Sequence, residues 1–178
     1  AERHARETAV WKGVRGFNYH PSHVCNALEE WVYRFDAAVL DRELGRSVEL
    51  FPGFNTVRLW LSHDPFFRDE AAFRKNFEAA LAVCAKHGLK AVPTLFNNWH
   101  SVPDFGGVSE EMIRYWFISY GKEGADPAYV FKPYLDALFR GHGADGRILA
   151  WDLCNEPFNS GLPETYTVYG NPWLVERS

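Results

Sequence analysis

No long apolar run occurs in the 178 residues, although 47% of them are hydrophobic. A membrane-spanning helix needs roughly 20 consecutive apolar residues, and the mean hydropathy is −0.30, so we expect a soluble chain without a membrane span. Domains usually run to roughly 100–200 residues, and we expect one domain over residues 1–178. The opening AERHARETAV does not have the pattern of a secretion signal, and the compartment stays open.

A surplus of basic residues is also missing. The chain has 19 lysines and arginines against 23 aspartates and glutamates, which gives a net charge of −4 with both signs mixed. Binding to nucleic acid or to an anionic membrane depends on a basic stripe that displaces counterions. We therefore expect neither a nucleic acid nor a membrane as a partner.

Cysteines and cofactor motifs are scarce. Cys25, Cys84 and Cys154 are odd in number and far apart, which suggests neither a disulfide framework nor a zinc ribbon. No P-loop and no G-x-S-x-G nucleophile elbow occurs. The GHGADG of residues 141–146 matches G-x-G-x-x-G, but it follows a predicted helix and precedes a predicted strand, which is the wrong context for a dinucleotide. We expect no cofactor.

Some histidines lie at spacings that suggest a metal. His20 and His23 form H-x-x-H, and His63 precedes Asp64. Neither pair lies in a recognisable ligand set, because a zinc site needs three or four such donors. We expect no metal site.

Aromatic residues, in contrast, are plentiful. Phe, Trp and Tyr make up 16% of the chain, with seven tryptophans. We expect most of them in the core. The few that lie beside polar loop residues are candidates for flat faces that stack on sugar rings.

Strand-like and helix-like stretches alternate along the chain. The predicted strands cover residues 10–20, 54–63, 89–98 and 147–157, and the predicted helices cover 31–44, 69–87 and 129–140. Apolar residues at helical spacing are Phe73, Phe77, Leu81 and Cys84 in the second helix and Phe131, Leu135 and Phe139 in the third. Pro93 is an unusual residue for the interior of the third strand, because it cannot donate a ladder hydrogen bond. The order is typical of right-handed βαβ units and predicts an α/β fold with a parallel sheet.

Each predicted strand ends in polar or aromatic residues. In parallel α/β folds, ligand sites lie at the carboxyl ends of the strands. The four tips are Asn18-Tyr19-His20, Ser62-His63-Asp64, Asn97-Asn98-Trp99-His100 and Asn155-Glu156. We therefore expect the functional site at this edge of the sheet.

The second strand carries an arginine on one of its faces. Val57, Leu59 and Leu61 alternate with Arg58 and its neighbours, so the aliphatic face is expected to pack on helices. Arg58 would then point into a curved or closed sheet, where it needs an anion. The alternative is a solvent-exposed arginine on an edge strand.

Several motifs resemble one enzyme family. The stretch WDLCNEP, residues 151–157, resembles the W-[ED]-L-x-N-E-P that ends the fourth strand of clan A glycoside hydrolases, the (β/α)8 retaining glycosidases that include family 5. NTVRL is similar to their second strand and RGFNYH to their first. LFNNWHSVPDFGG resembles the third-strand tip of family 5 β-mannanases. The resemblance implies a TIM barrel, of which this chain supplies about the first four βα units.

The resemblance also implies roles for particular residues. Glu156 would be the general acid/base, held protonated near neutral pH, and Asn155 would hydrogen-bond the sugar 2-hydroxyl. Arg58 would keep the nucleophilic carboxylate ionised. The remaining candidates for substrate binding are Asn98, Trp99, His100 and Tyr19.

This sequence departs from the family in length and in detail. A complete barrel needs roughly 250 residues, and the second carboxylate of a retaining glycosidase, about 5 Å from the acid, comes from strand seven. Glu164 and Glu176 follow strand four, but neither matches the context of the nucleophile. Extra residues precede Phe105, and Cys154 replaces a small residue, so mannan is only the favoured substrate.

An open half-barrel would expose an apolar interior and a strand edge. We therefore expect that the chain pairs with a second copy or a complementary half, or is a piece of a longer enzyme.

The sequence leaves three candidate functions. The first is half of a retaining glycoside hydrolase that cleaves β-mannan or a related β-1,4-glycan, which would favour a secreted or periplasmic address. The others are a non-catalytic carbohydrate-binding or assembly module, and an unrelated α/β protein in which N-E-P is a structural turn.

Overall fold

The computed structural model describes residues 11–97 and 128–155. Within these ranges the chain forms four strands: β1 (Gly16–Tyr19), β2 (Thr56–Trp60), β3 (Lys90–Asn97) and β4 (Asp152–Asn155). The helices are a π-helical turn (Glu29–Tyr33), α1 (Ala37–Leu50), α2 (His63–Arg68), α3 (Glu70–Lys86) and α4 (Ala128–His142). None of these helices is long and apolar enough to span a bilayer.

The strands form one parallel sheet in the order β1-β2-β3-β4. Successive strands are neighbours, and helices occupy the connections, so the predicted βαβ organisation is confirmed for the described residues. Pro93 lies in the middle of β3, opposite Leu59 of β2. The predicted third strand is therefore paired through its proline.

The first helix differs from the prediction. The sequence predicted one helix over residues 31–44, whereas the π-helical turn ends at Tyr33 and α1 begins at Ala37. Asp36, in an extended conformation, separates them because its side chain accepts hydrogen bonds from the amides of Ala38 and Val39. Such a cap satisfies the first free amides of a new helix.

The other two helices lie close to their predicted ranges. In α3 the predicted residues Phe73, Phe77, Leu81 and Cys84 are all buried. The predicted apolar face of α4 is partly wrong, because Phe139 is 39% exposed while Tyr134 is fully buried. The buried positions described in α4 follow i, i+3, i+6 and i+7 spacing rather than i, i+4 and i+8: Phe131, Tyr134, Ala137 and Leu138.

The core lies between the sheet and the helices and is rich in aromatic side chains. Trp31 packs against Phe73 and Phe77 of α3, with ring centroids 6.0 Å apart in both cases. The buried hydroxyl of Tyr134 donates a hydrogen bond of 3.0 Å to the carbonyl of Leu95 in β3. Most described aromatic residues are thus structural, and one face of the sheet is covered.

Candidate functional site

The predicted alternation of β2 is confirmed. Val57 and Leu59 are buried against the helices, while Arg58 and Trp60 lie half-buried on the other face of the sheet. Since β2 is hydrogen-bonded to β1 and β3, Arg58 is not on an edge strand. The face of the sheet opposite the described helices therefore holds a cation, and its surroundings define the candidate site.

The anion that the inward arginine requires is Asp152 of β4. The guanidinium Nη2 of Arg58 donates to Asp152 Oδ2, and Nε donates to the same oxygen at 3.0 Å. Each side chain is 26% exposed. Partly exposed ion pairs contribute little net stability, on the order of 1 kcal/mol or less. The main effect of this pair is therefore to fix the orientation of Arg58.

Thr94 of β3 completes the contact between the two charges. Its buried hydroxyl accepts from Arg58 Nε at 2.8 Å and donates to Asp152 Oδ2 at 2.9 Å. The same carboxylate oxygen thus accepts three hydrogen bonds. Three donors on one oxygen hold the carboxylate in a single orientation.

Asn155, at the end of β4, is joined to the same group. Its Oδ1 accepts from Arg58 Nη2 at 3.1 Å, and its Nδ2 donates to Asn97 Oδ1 at 2.9 Å. Asn97 and Asn155 are register partners at the carboxyl ends of β3 and β4. On β1, Asn18 Oδ1 lies 3.4 Å from Arg58 Nη1. One guanidinium therefore contacts side chains from β1, β3 and β4.

Trp60 lies beside this network. The Arg58 Cζ is 4.3 Å from the centroid of the Trp60 ring, which is the geometry of a cation–π contact. The carbonyl of Trp60 accepts a hydrogen bond of 2.7 Å from Trp31 Nε1, which ties the end of β2 to the π-helical turn. The indole is a half-buried aromatic surface at the carboxyl edge of the sheet.

The structure brings together only some of the predicted site residues. Arg58 and Asn155 are in contact. Tyr19 lies on the opposite face, where it is buried and its hydroxyl donates to Glu43 Oε2 of α1 at 2.6 Å. Burial, followed by the bond to Glu43, raises the pKa of Tyr19. The predicted residues outside the described ranges are Glu156, Asn98, Trp99 and His100.

Sequence reasoning missed Asp152, Thr94 and Trp60. It placed Asn18 and Asn97 at the strand tips but did not name them as site residues. A signal existed for Asp152, because a charged residue that starts a short buried strand needs a partner, and Arg58 was already expected to point inward. For Asn18, the strand alternation placed it and Tyr19 on opposite faces, so only one of the two could reach Arg58.

One group of three possible metal ligands lies among the described residues, away from Arg58. It consists of Glu78, His142 and Asp145. Both carboxylates already bind Arg147, with distances of 2.6 Å from Nη1 to Glu78 Oε1 and from Nη2 to Asp145 Oδ2. The guanidinium lowers the pKa of both acids. Because Arg147 supplies their counter-charge, this group does not require a cation.

Known proteins resemble the chain at low identity. No family model matches it. Mannan endo-1,4-beta-mannosidase 7 of Oryza sativa subsp. japonica is 24% identical over 203 residues, covering 97% of this chain and 49% of that protein. Mannan endo-1,4-beta-mannosidase 8 of the same plant is 24% identical over 204 residues, covering 96% and 50%. The chain thus spans about half the length of the curated relatives it matches.

A solved structure resembles the described fold. The exo-beta-1,4-mannosidase Op5Man5 from Opitutaceae bacterium strain TAV5 aligns with a TM-score of 0.55 and 22% identity, over 82% of this chain and 25% of its own. The resemblance to β-mannanases that the motifs predicted is confirmed. The expected fold class is also confirmed, since the parallel sheet and its helices supply βα units of a (β/α)8 barrel.

Proposed function

We propose that the chain is the amino-terminal half of a retaining glycoside hydrolase that cleaves β-mannan or a related β-1,4-glycan. The observation that carries the proposal is the hydrogen bond between Arg58 and Asn155 at the carboxyl edge of the sheet. Asn155 immediately precedes Glu156 in the N-E-P motif. The network therefore supports the motif at the edge where barrel enzymes bind their substrates.

The proposed reaction is a double displacement. A nucleophilic carboxylate attacks the anomeric carbon and forms a glycosyl-enzyme, while Glu156 protonates the leaving glycosidic oxygen. Glu156 then takes a proton from water, and that water releases the sugar with net retention. The nucleophile would come from residues that complete the barrel, either in a second chain or in a longer polypeptide.

Arg58 has donors left for this chemistry. Its Nε and Nη2 are bound to β3 and β4, whereas Nη1 makes only a 3.4 Å contact with Asn18 within the described residues. A guanidinium has five N–H donors in a fixed fork. With Asp152 fixing the plane of that fork, Nη1 is available to donate to a second carboxylate or to a sugar hydroxyl.

The role proposed for Asn155 uses the same geometry. Arg58 occupies its Oδ1, and Asn97 accepts from its Nδ2. These two bonds fix the amide orientation, so that the second N–H of Nδ2 can donate to the 2-hydroxyl of the sugar. A preoriented donor at this position contributes most at the oxocarbenium-like transition state.

A non-catalytic carbohydrate-binding or assembly module is the second candidate. It is favoured because no acidic residue of the sequence matches the context of the nucleophile. It would keep the strand tips and bind the same glycans without cleaving them.

The test is hydrolysis of a polysaccharide panel. The completed enzyme, which is the longer polypeptide or the chain together with its complementary half, is incubated with β-mannan, cellulose and xylan. Reducing ends are counted, and proton NMR follows the anomeric configuration of the first product. We expect the fastest release from mannan, with the β-anomer formed first. An α-anomer as first product would contradict double displacement, and binding without release would favour the second candidate.

A further inference from the structure

A histidine and a buried carboxylate lie at the tip of β1 and have no part in the network around Arg58. The Nδ1 of His20 is 2.9 Å from Oε2 of Glu30, which belongs to the π-helical turn. The side chain of Glu30 is 4% exposed, whereas that of His20 is 45% exposed. The buried acid is therefore paired with a group that faces solvent.

The position of His20 is fixed from both sides. Tyr19 before it and Ser22 after it both bind Glu43 of α1 through their hydroxyl groups. Trp31, next to Glu30, is buried and bonded to the carbonyl of Trp60. His20 follows the register pair of Tyr19 and Leu59, so it lies at the level of Trp60 along the sheet.

The location argues against a purely structural pair. A buried carboxylate is costly unless it has a partner. The partner of Glu30 is the imidazole ring of His20, which is nearly half exposed and does not belong to a second buried element. The pair therefore contributes little to the stability of the core. π-helical turns are rare and occur often at functional sites.

We propose that His20 is a sugar-binding residue at the carboxyl edge of the sheet, and that Glu30 positions its ring. The ligand would be a pyranose unit of a β-1,4-linked oligosaccharide, so this inference rests on the proposed function. Nδ1 lies 2.9 Å from Glu30 Oε2, at ion-pair distance but without the angle of a hydrogen bond, and Nε2 makes no hydrogen bond within the described part of the chain. Sugar hydroxyls can both donate to and accept from such a nitrogen.

The charge state supports this role. The carboxylate of Glu30 raises the pKa of His20, although burial opposes the shift. Burial raises the pKa of Glu30, while His20 and then His23 lower it. A carboxylate at ion-pair distance from one ring nitrogen favours the charged imidazolium and restricts where the ring can lie. Preorganisation of this kind reduces the entropy lost when a ligand binds.

The test is an NMR titration of the wild-type protein with mannohexaose, observing the imidazole resonances of His20. We expect the Nε2 signal to shift and to saturate with the same Kd that calorimetry gives. The H20A variant should bind about fivefold more weakly, the effect of losing one hydrogen bond. It leaves Glu30 buried without this partner and should melt at a lower temperature, so its affinity is measured at a temperature at which circular dichroism shows that it is folded. The H142A variant removes a histidine paired with acids elsewhere in the fold and should bind normally.

The E30Q variant separates positioning from folding. It should lower the pKa of His20, as followed by the same resonances, and weaken mannohexaose binding by about threefold. Saturable binding to the wild type with unmoved His20 signals, or an H20A variant with wild-type affinity, would overturn the inference and leave the proposed function standing. No binding of mannohexaose to the wild-type protein would overturn the proposed function itself, and this inference with it.

Discussion

Arg58 and Asp152 form an ion pair across β3, although β2 and β4 are not neighbours in the sheet. The side chains reach each other over Thr94, whose hydroxyl contacts both of them. Arg58 and Asp152, which are 94 positions apart in the sequence, thus depend on each other for their orientation. Because Asn155 binds the same guanidinium, we expect a change at the start of β4 to affect its end through Arg58.

Replacing Asp152 tests this dependence. In D152N the guanidinium keeps an acceptor but loses the opposite charge, so we expect Arg58 to lose its fixed orientation. The rate of mannan hydrolysis should fall by about 10- to 100-fold, as for other small misplacements in active sites. Stability should change by only about 1 kcal/mol, because the pair is partly exposed.

The control for D152N is D136N. Asp136 forms ion pairs with Lys132 and Arg140 on the outer surface of α4, far from Arg58 in the fold. We expect no change in hydrolysis from this substitution. Equal rates for D152N and the wild type would contradict the role of Asp152.

Tyr19 offers a test of the two faces of β1. The Y19F variant loses the hydrogen bond to Glu43 but keeps the buried ring. We expect denaturation to show a loss of about 1 kcal/mol, and manno-oligosaccharide affinity to stay within about twofold of the wild type. A large loss of affinity with unchanged stability would instead place the Tyr19 hydroxyl in the substrate site.

His63 should make stability depend on pH. It is buried among aromatic rings, with Phe131 at 5.0 Å, and neither ring nitrogen has a hydrogen-bond partner among the described residues. Burial lowers the pKa of His63, and the charge of Asp64 only partly opposes this. Below about pH 6.5, the ordinary value for histidine, the unfolded chain binds this proton more readily than the folded one, so the free energy of unfolding should decrease as the pH falls.

The free energy of unfolding is measured by urea denaturation for the wild type and H63F. The pH is varied from about 5 to about 8, the range in which histidines titrate. H63F should lose less stability than the wild type as the pH falls. H20A serves as the contrast, since the raised pKa of His20 contributes stability at low pH and its removal should steepen the decline. Parallel curves for the wild type and H63F would contradict this account of His63.

Much of the fold follows from local pattern. The alternation in β2 predicted which face of the strand is buried, and the spacing of Phe73, Phe77 and Leu81 predicted the buried face of α3. The break at Asp36 was missed because the apolar spacing continues through it, while a single capping aspartate starts the new helix. In α4, packing of Tyr134 against Leu95 decided the buried face, and that contact depends on β3.

The candidate site was harder to predict because its contacts are long-range. Strand alternation predicted that Arg58 points inward and needs an anion, but it gives no information on which strand supplies that anion. Asp152 is the partner of Arg58 because β4 lies on the far side of β3 from β2, and its register places Asp152 opposite Thr94. The sequence placed Asn18 and Tyr19 together at the tip of β1, and their alternation puts Asn18 beside Arg58 and Tyr19 beside Glu43.

Glu156 is the residue on which the proposed chemistry depends. The most direct test compares E156Q with E164Q, a matched change of a glutamate that follows the motif and lacks its context. Reducing-end release from mannan and calorimetric binding of mannohexaose are measured for both variants. The account predicts that E156Q loses hydrolysis but keeps binding, while E164Q keeps both. Full hydrolysis by E156Q would contradict the assignment of the general acid/base.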